Sequence, residues 1–325
     1  MTTVAKARIL VTRHLPEEVE NRLAQDFLVE LNVVDRILST AEIVEKAKNF
    51  DALLVTSMDH CRDELINALP ASIRMIATFS VGTDHIDIPA AKARGIAVSN
   101  TPDVLTDATA DIALLLMLGA ARGAIWGDRM VRENNWLPPS ITFPLGHDVS
   151  GRRLGIYGMG RIGQAVAKRA AAFGMSLRYH NRKPVEPALA HGAVYHENLD
   201  SLLPHCDFLS INCASTAKTR DSIDEHAIAL LPQGAIVVNS ARGDIVNDEA
   251  LITALKSGKL AAAGLDVFRN EPNIDPRYRA LDNVFMLPHL GSATKNTRIA
   301  MGMRAVDNLE AFFKGERPRD LLTGA

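Results

Sequence analysis

Three polar residues fall just beyond apolar, strand-like runs: Arg242 in NSARGD, Glu271 in FRNEP and His289 in LPHLGSAT. An arginine's planar guanidinium can grip a carboxylate through two parallel hydrogen bonds and polarise the carbonyl next to it. A histidine can give its proton to that carbonyl oxygen as hydride arrives at carbon. A glutamate beside the histidine favours the imidazolium and orients the ring. Together they suit reduction of a 2-keto acid, if the chain also holds a hydride donor and gathers three distant segments. Met singly, each has a plain structural reading: a helix-capping arginine, a Glu-Pro turn, a satisfied core histidine. Their shared position at strand ends favours the chemical reading.

Residues 153–183, RLGIYGMGRIGQAVAKRAAAFGMSLRYHNRK, indicate the hydride donor, because they read as strand, glycine-rich turn, helix and second strand. Gly158, Gly160 and Gly163 stand at G-x-G-x-x-G spacing. The first glycine permits the tight turn, the second lets backbone N–H groups approach a pyrophosphate, and the third lets the helix pack on the sheet. The helix opens at Arg161 and Ile162, where its N-terminus would carry a phosphate, and Gly174 suits a left-handed C-terminal cap. An NAD site places an acid at the tip of the second strand to bind the ribose hydroxyls. Here that tip reads His180, Asn181, Arg182, Lys183. Without a carboxylate, and with two cations to attract a 2′-phosphate, the site is expected to prefer NADP(H), with NAD(H) possible.

The elements that must position these residues follow a βα alternation. Strand-like runs at 9–11, 27–31, 52–55, 75–79 and 96–98 are separated by helical or turn segments, and Ser39 with Glu42 forms a capping-box pattern. Parallel strands need such crossovers, so the first hundred residues predict a parallel α/β layer. It lacks a phosphate-binding glycine loop, although Gly82 in FSVGTDHID follows a strand end. A strongly apolar helix over 106–122 would bridge two domains or pack in a subunit interface. Residues 129–151 read as irregular and proline-rich, with Trp136, Pro138, Pro139 and Pro144. The cofactor part then predicts six strands, near 154–157, 177–179, 208–213, 235–239, 261–267 and 284–287, and a helix over 248–257. A last helix, from about 294 to 313, returns to the first part.

Composition narrows the class further. With 325 residues, 47% hydrophobic and 23% charged, the chain is long enough for two cores, and a net charge of −2 argues against a nucleic-acid partner. The opening MTTVAKARILVTRH lacks the apolar core of a signal peptide, and the apolar stretch 112–121 is too short to span a bilayer. Cys61, Cys206 and Cys213 show no metal-ligand spacing. The expectation is a cytoplasmic protein with reduced thiols, no metal and no membrane partner.

Six motifs in order, VGTDHID, NTPDVLTDATADIA, GMGRIGQAVAKRAAAFGM, NSARGDIVND, AGLDVFRNEP and LPHLGSAT, make the chain resemble the D-isomer-specific 2-hydroxyacid dehydrogenases, and most closely their glyoxylate/hydroxypyruvate reductase branch. The resemblance implies an α/β fold of two domains. One is a Rossmann doubly wound sheet over 101–291, the other a flavodoxin-like discontinuous substrate domain over 1–100 and 292–325. It also implies a homodimer that reduces a small 2-keto acid to a D-2-hydroxy acid. Carried over, Arg242 binds substrate, Glu271 and His289 form the proton-donating pair, and the backbone of Val81 and Gly82 holds the substrate carboxylate. Cofactor contacts fall on Thr106, Gly158, Met159, Gly160, Arg161, Ile162, Arg182, Cys213, Thr219, Ser240, Ala241, Asp266 and Gly291. Asn181, with Lys183 nearby, stands where NAD-type members carry an aspartate.

The chain departs from the family pattern twice. Many reductase members have two tryptophans three residues apart before the cofactor domain, and this chain keeps Trp136 but has Pro139 at the second position. Ala214 and Ser215 replace the usual Pro-Leu after one strand. Two alternatives accompany the reductase: a D-2-hydroxyacid dehydrogenase for bulkier keto acids, and a dinucleotide-sensing, corepressor-like interaction protein. The second would need an added partner-binding tail, and the sequence ends at Ala325, soon after the last helix.

Overall fold

The computed structural model describes residues 6–136, 138, 141–142 and 145–323, so Pro139 and Pro144 lie outside the described residues. The chain folds as two compact units, one reaching to Leu105 and resuming at Thr294, the other Thr106–Ala293. The cuts fall a few residues downstream of those expected from the sequence.

In the first unit β1 (Arg8–Val11), β2 (Leu28–Leu31), β3 (Ala52–Val55), β4 (Met75–Thr78) and β5 (Ala97–Ser99) form one sheet in the order β2-β1-β3-β4-β5. Every pairing is parallel, which is the flavodoxin-like order. The crossovers are α1 (Glu17–Asp26), α2 (Thr40–Ala47), α3 (Asp63–Ala68) and α4 (Ile88–Ala93). They cover both faces, so Ile9, Val11, Leu53, Leu54 and Ile76 are fully buried. Each contributes about 1.5–3 kcal/mol by leaving water. The Ser39–Glu42 capping box opens α2 as expected.

The second unit begins with α5 (Thr106–Arg122), followed by α6 (Ala124–Arg132). Seven parallel strands follow: β6 (Arg153–Tyr157), β7 (Ser176–His180), β8 (Val194–His196), β9 (Phe208–Ile211), β10 (Ala235–Asn239), β11 (Leu260–Leu265) and β12 (Val284–Met286). Their order, β12-β11-β10-β9-β6-β7-β8, is that of a doubly wound dinucleotide fold with one extra edge strand. The crossover helices are α7 (Arg161–Ala172), α8 (Leu199–Leu202), α9 (Glu225–Leu230) and α10 (Asp248–Ser257).

Two sequence expectations are corrected here. The sheet has seven strands rather than six, because β8 is only three residues long and partly exposed, too short to show alternation. The stretch from Arg129 to Arg132, expected to be irregular, is the last turn of α6. α5 packs inside its own unit against α7, β10, β11 and β12. Gly264 lets it lie close to the sheet: a Cβ there would come within 2.6 Å of Leu116 O. No single helix among the described residues is long and apolar enough to cross a membrane. α5 and α6 would suffice only together, across a 68° bend.

The chain ends in the first unit. α11 (Lys295–Phe313), capped by the Thr294 side chain, packs on α1. Gly302 meets Val19 so closely that a Cβ would lie 2.4 Å from Cγ2, and Arg22 pairs with Glu310 at 2.7 Å. Leu322 N–H donates to Val98 O at 2.8 Å, and Leu321 bridges Ser99.

Candidate active site

The glycine turn after β6 lies at the switch point of the second sheet, since the chain runs from β6 outward to β7 and then returns to β9 on the other flank. Gly158 has φ of +100°, and a Cβ there would sit 2.5 Å from Cys213 N. At Gly163 a Cβ would lie 2.2 Å from Gly158 O. The fold itself therefore requires these two glycines. Gly160 differs: its φ is an ordinary −79°, and an added Cβ would meet nothing within 4 Å. Packing therefore does not require bareness at that position, which opens on free space just before α7, where Arg161 and Ile162 begin the helix.

Two further observations fit a dinucleotide. Ser240 Oγ and Asn212 Oδ1 are buried without a hydrogen-bond partner among the described residues, and they follow the neighbouring strands β10 and β9. Buried polar groups seldom stay unpaired in a finished complex. Met159 is fully buried in the turn, and Thr219 Oγ1 ties its loop together by donating to Ala214 O at 2.7 Å. Burial pushes the Cys213 thiol up to about 12, so this residue just past β9 stays a neutral group. At the end of β7, Asn181 O accepts from Tyr195 Oη at 3.3 Å. Arg182 and Lys183 are exposed, with no hydrogen bond or ion pair to a described residue.

The carboxyl ends of β10, β11 and β12, three adjacent parallel strands, carry Arg242, Glu271 and His289 in turn. The Arg242 turn is shaped by Asn239: Ala241 N–H donates to its Oδ1 at 3.0 Å, and its Nδ2 donates to Arg242 O at 2.9 Å. Asn239 was not singled out in the sequence. The signal was an asparagine at a strand end ahead of a turn, which is where such side chains hydrogen-bond their own backbone. Glu271 Oε1 accepts from Phe268 N–H at 2.7 Å, and Oε2 meets His289 Nδ1 at 2.7 Å.

His289 adopts φ of +56°, a region that non-glycine residues occupy only when their surroundings enforce it. Asp266 enforces it. Its backbone oxygen accepts from His289 N–H at 2.8 Å, and its carboxylate accepts from Leu290 N–H at 2.6 Å and Gly291 N–H at 2.8 Å. Burial pushes the Asp266 carboxyl above its ordinary value, opposed by those two amides and the charge of His289. Thr109, on α5 one turn past Thr106, donates to Gly291 O at 3.1 Å and joins this support. Sequence reading overlooked Thr109, since nothing local distinguishes a threonine inside an apolar helix.

Val81 and Gly82 belong to the first unit, in the loop after β4. Their carbonyls are tied back, Val81 O by Asn100 Nδ2 at 2.8 Å and Gly82 O by Ser80 Oγ at 2.7 Å. Among the described residues neither N–H finds an acceptor, which leaves two donors for an anion. No cluster of three metal-ligating side chains occurs among the described residues.

Comparison with known proteins places this arrangement. Residues 114–291 match the model for the D-isomer specific 2-hydroxyacid dehydrogenase, NAD binding domain. The chain is 44% identical over 314 residues to glycerate dehydrogenase of Hyphomicrobium methylovorum, covering 96% of this chain and 98% of that one. It is 40% identical over 321 residues to glyoxylate reductase of Pyrococcus furiosus, covering 98% and 95%. The solved NADPH-dependent glyoxylate/hydroxypyruvate reductase of Sinorhizobium meliloti, in complex with NADP and malonate, superposes with a TM-score of 0.89 at 35% identity, covering 98% of this chain and 97% of that one. On this evidence the chain belongs to the D-isomer specific 2-hydroxyacid dehydrogenases, in their glyoxylate reductase branch, and is an enzyme that uses a nicotinamide dinucleotide.

Proposed function

We propose that the protein is an NADPH-preferring reductase of small 2-keto acids, glyoxylate and hydroxypyruvate foremost, yielding D-2-hydroxy acids. The observation that carries this reading is the 2.7 Å pairing of His289 with Glu271 on strand ends adjacent to the one bearing Arg242. Arg242 grips the substrate carboxylate and polarises the keto group, and in the first unit the Val81 and Gly82 amides are donors suited to a carboxylate. Glu271 occupies His289 Nδ1, which leaves Nε2 to deliver the proton to the keto oxygen. Bound nicotinamide supplies the hydride for the keto carbon. One hydride and one proton convert C=O to CH–OH, and His289 recovers its proton from water.

The cofactor preference is supported by Asn181 and by the exposed cations Arg182 and Lys183. A hydrogen bond to a charged group contributes about 1.5–3 kcal/mol, hence roughly ten- to a hundredfold discrimination. The Sinorhizobium meliloti relative's complex with NADP agrees with this. Assays with NADPH and NADH across a panel from glyoxylate to phenylpyruvate are expected to give kcat/KM in favour of NADPH by that factor, and in favour of the small acids. A clear NADH preference would overturn the cofactor assignment. Dominance of phenylpyruvate would overturn the substrate assignment and favour the bulkier-acid alternative.

The reading includes a cytoplasmic homodimer. Its support is a run of exposed apolar side chains along α5, α6 and the loop beyond: Leu115, Ile125, Val131, Trp136, Ile141 and Leu145. Such a run marks an interaction surface. Light scattering is expected to give twice the chain's mass, and a monomer would remove the dimer from the proposal.

A further inference from the structure

One guanidinium in the second unit touches the segments that follow three adjacent strands. Arg269 lies in the turn after β11, two residues before Glu271. Its Nη2 donates to Asp221 Oδ1 at 2.6 Å, to Val246 O at 3.1 Å and to Asp244 O at 3.4 Å, and its Nε is 3.9 Å from Asp248 Oδ2. Asp221 belongs to the loop after β9 that contains Thr219. Asp244 and Val246 belong to the turn after β10 that begins at Arg242. Arg269 thus bonds the dinucleotide-side loop and the carboxylate-binding turn from within the turn that carries Glu271, one half of the proton-donor pair.

The surrounding backbone makes this a close joint. At Gly243 an added Cβ would fall 1.9 Å from Phe268 C and 2.3 Å from Arg269 N, so the Arg242 and Glu271 turns are already in backbone contact. Phe268, at that contact, also donates its N–H to Glu271. Asp221 holds φ of +50° while its N–H donates to Asp244 O at 2.9 Å, and a parallel bridge joins Ile223 to Val246. Ser215, one of the two residues departing from the family pattern, donates its Oγ to Asp244 Oδ2 at 2.8 Å, which ties the loop to the same turn from its other end.

We propose that Arg269 is a positioning residue that sets the register of the Glu271–His289 pair against Arg242. The inference rests on the assignment of those three residues as the reacting groups. Its basis is geometric. Arg269 reaches these partners through one amino group, Nη2, whose two N–H bonds lie fixed in the guanidinium plane and are shared among the three oxygens, whereas an ammonium is a rotating point charge. Reacting groups lose about a hundredfold in rate when misplaced by 1 Å. Loss of Arg269 should therefore act on the chemical step and spare dinucleotide binding.

The experiment is a double-mutant cycle on the full-length enzyme with Arg269→Met, Glu271→Gln and the pair. It reads single-turnover glyoxylate reduction at saturating NADPH, and NADPH affinity by fluorescence. Arg269→Met is expected to slow turnover about tenfold or more while leaving the NADPH Kd within about threefold. Arg269→Lys should recover part of the rate. In the Glu271→Gln background Arg269→Met should cost little, because the register it sets no longer matters. Multiplicative losses, unchanged turnover, or a loss confined to NADPH affinity would each overturn the proposal. Should Arg269→Met fail to fold, Asp221→Asn enters the same cycle with the same expectations. If Glu271→Gln alone leaves turnover intact, the catalytic assignment fails first, and the two failures are thereby distinguished.

Discussion

Replacing His289 with alanine is expected to lower kcat for keto-acid reduction by about two to four orders of magnitude, the range for loss of a general acid. NADPH binding should change little, because Asp266 holds the backbone of His289, Leu290 and Gly291 by contacts that survive loss of the imidazole. The left-handed backbone at His289 adds a second effect that a control can separate. Alanine tolerates that conformation poorly, whereas asparagine adopts it more readily. His289→Ala should thus lose stability as well as rate, and His289→Asn should lose the rate while melting closer to the native enzyme. Near-native turnover in either variant would remove His289 from its role.

Arg242→Ala is expected to reduce kcat/KM for the keto acid by about a hundred- to a thousandfold, the typical effect of losing one fixed electrostatic donor. KM should rise along with the fall in kcat, since the guanidinium serves both the bound carboxylate and the polarised carbonyl. The turn should survive the substitution, because Asn239 shapes it through backbone atoms on both sides. Arg242→Lys should recover only part of the loss: a lysine restores charge without the two-pronged fork. Unchanged kinetics for the keto acid would exclude Arg242 from the site.

The sequence carried most of the fold in periodic signals. Runs such as 52–55 and the helix over 106–122 were legible because a buried parallel strand or helix must be apolar along its length. The glycine turn was legible for a similar reason, as backbone geometry and close packing leave no room for a side chain at Gly158 or Gly163. β8 was not, because three residues on a sheet edge need no pattern. Arg242, Glu271 and His289 could be suspected from strand-end positions alone, but their adjacency depends on strand order, which periodicity does not encode. Residues whose work is done through partners far along the chain were silent. Arg269 looks like a solvated arginine until Asp221 and Val246 are seen beside it.

The interrupted first unit imposes a schedule on the ribosome. β1 to β5 leave the exit tunnel first, yet the helix that covers α1, the 19-residue α11, is made after the whole of the second unit. Val19 and Phe27, which meet Gly302 and Phe313 in the finished protein, must wait for those partners through nearly two hundred residues of further synthesis. The continuous second unit has no such debt to later residues and can complete its core while the chain is still tethered. The part of the protein that is born first is the part that is finished last.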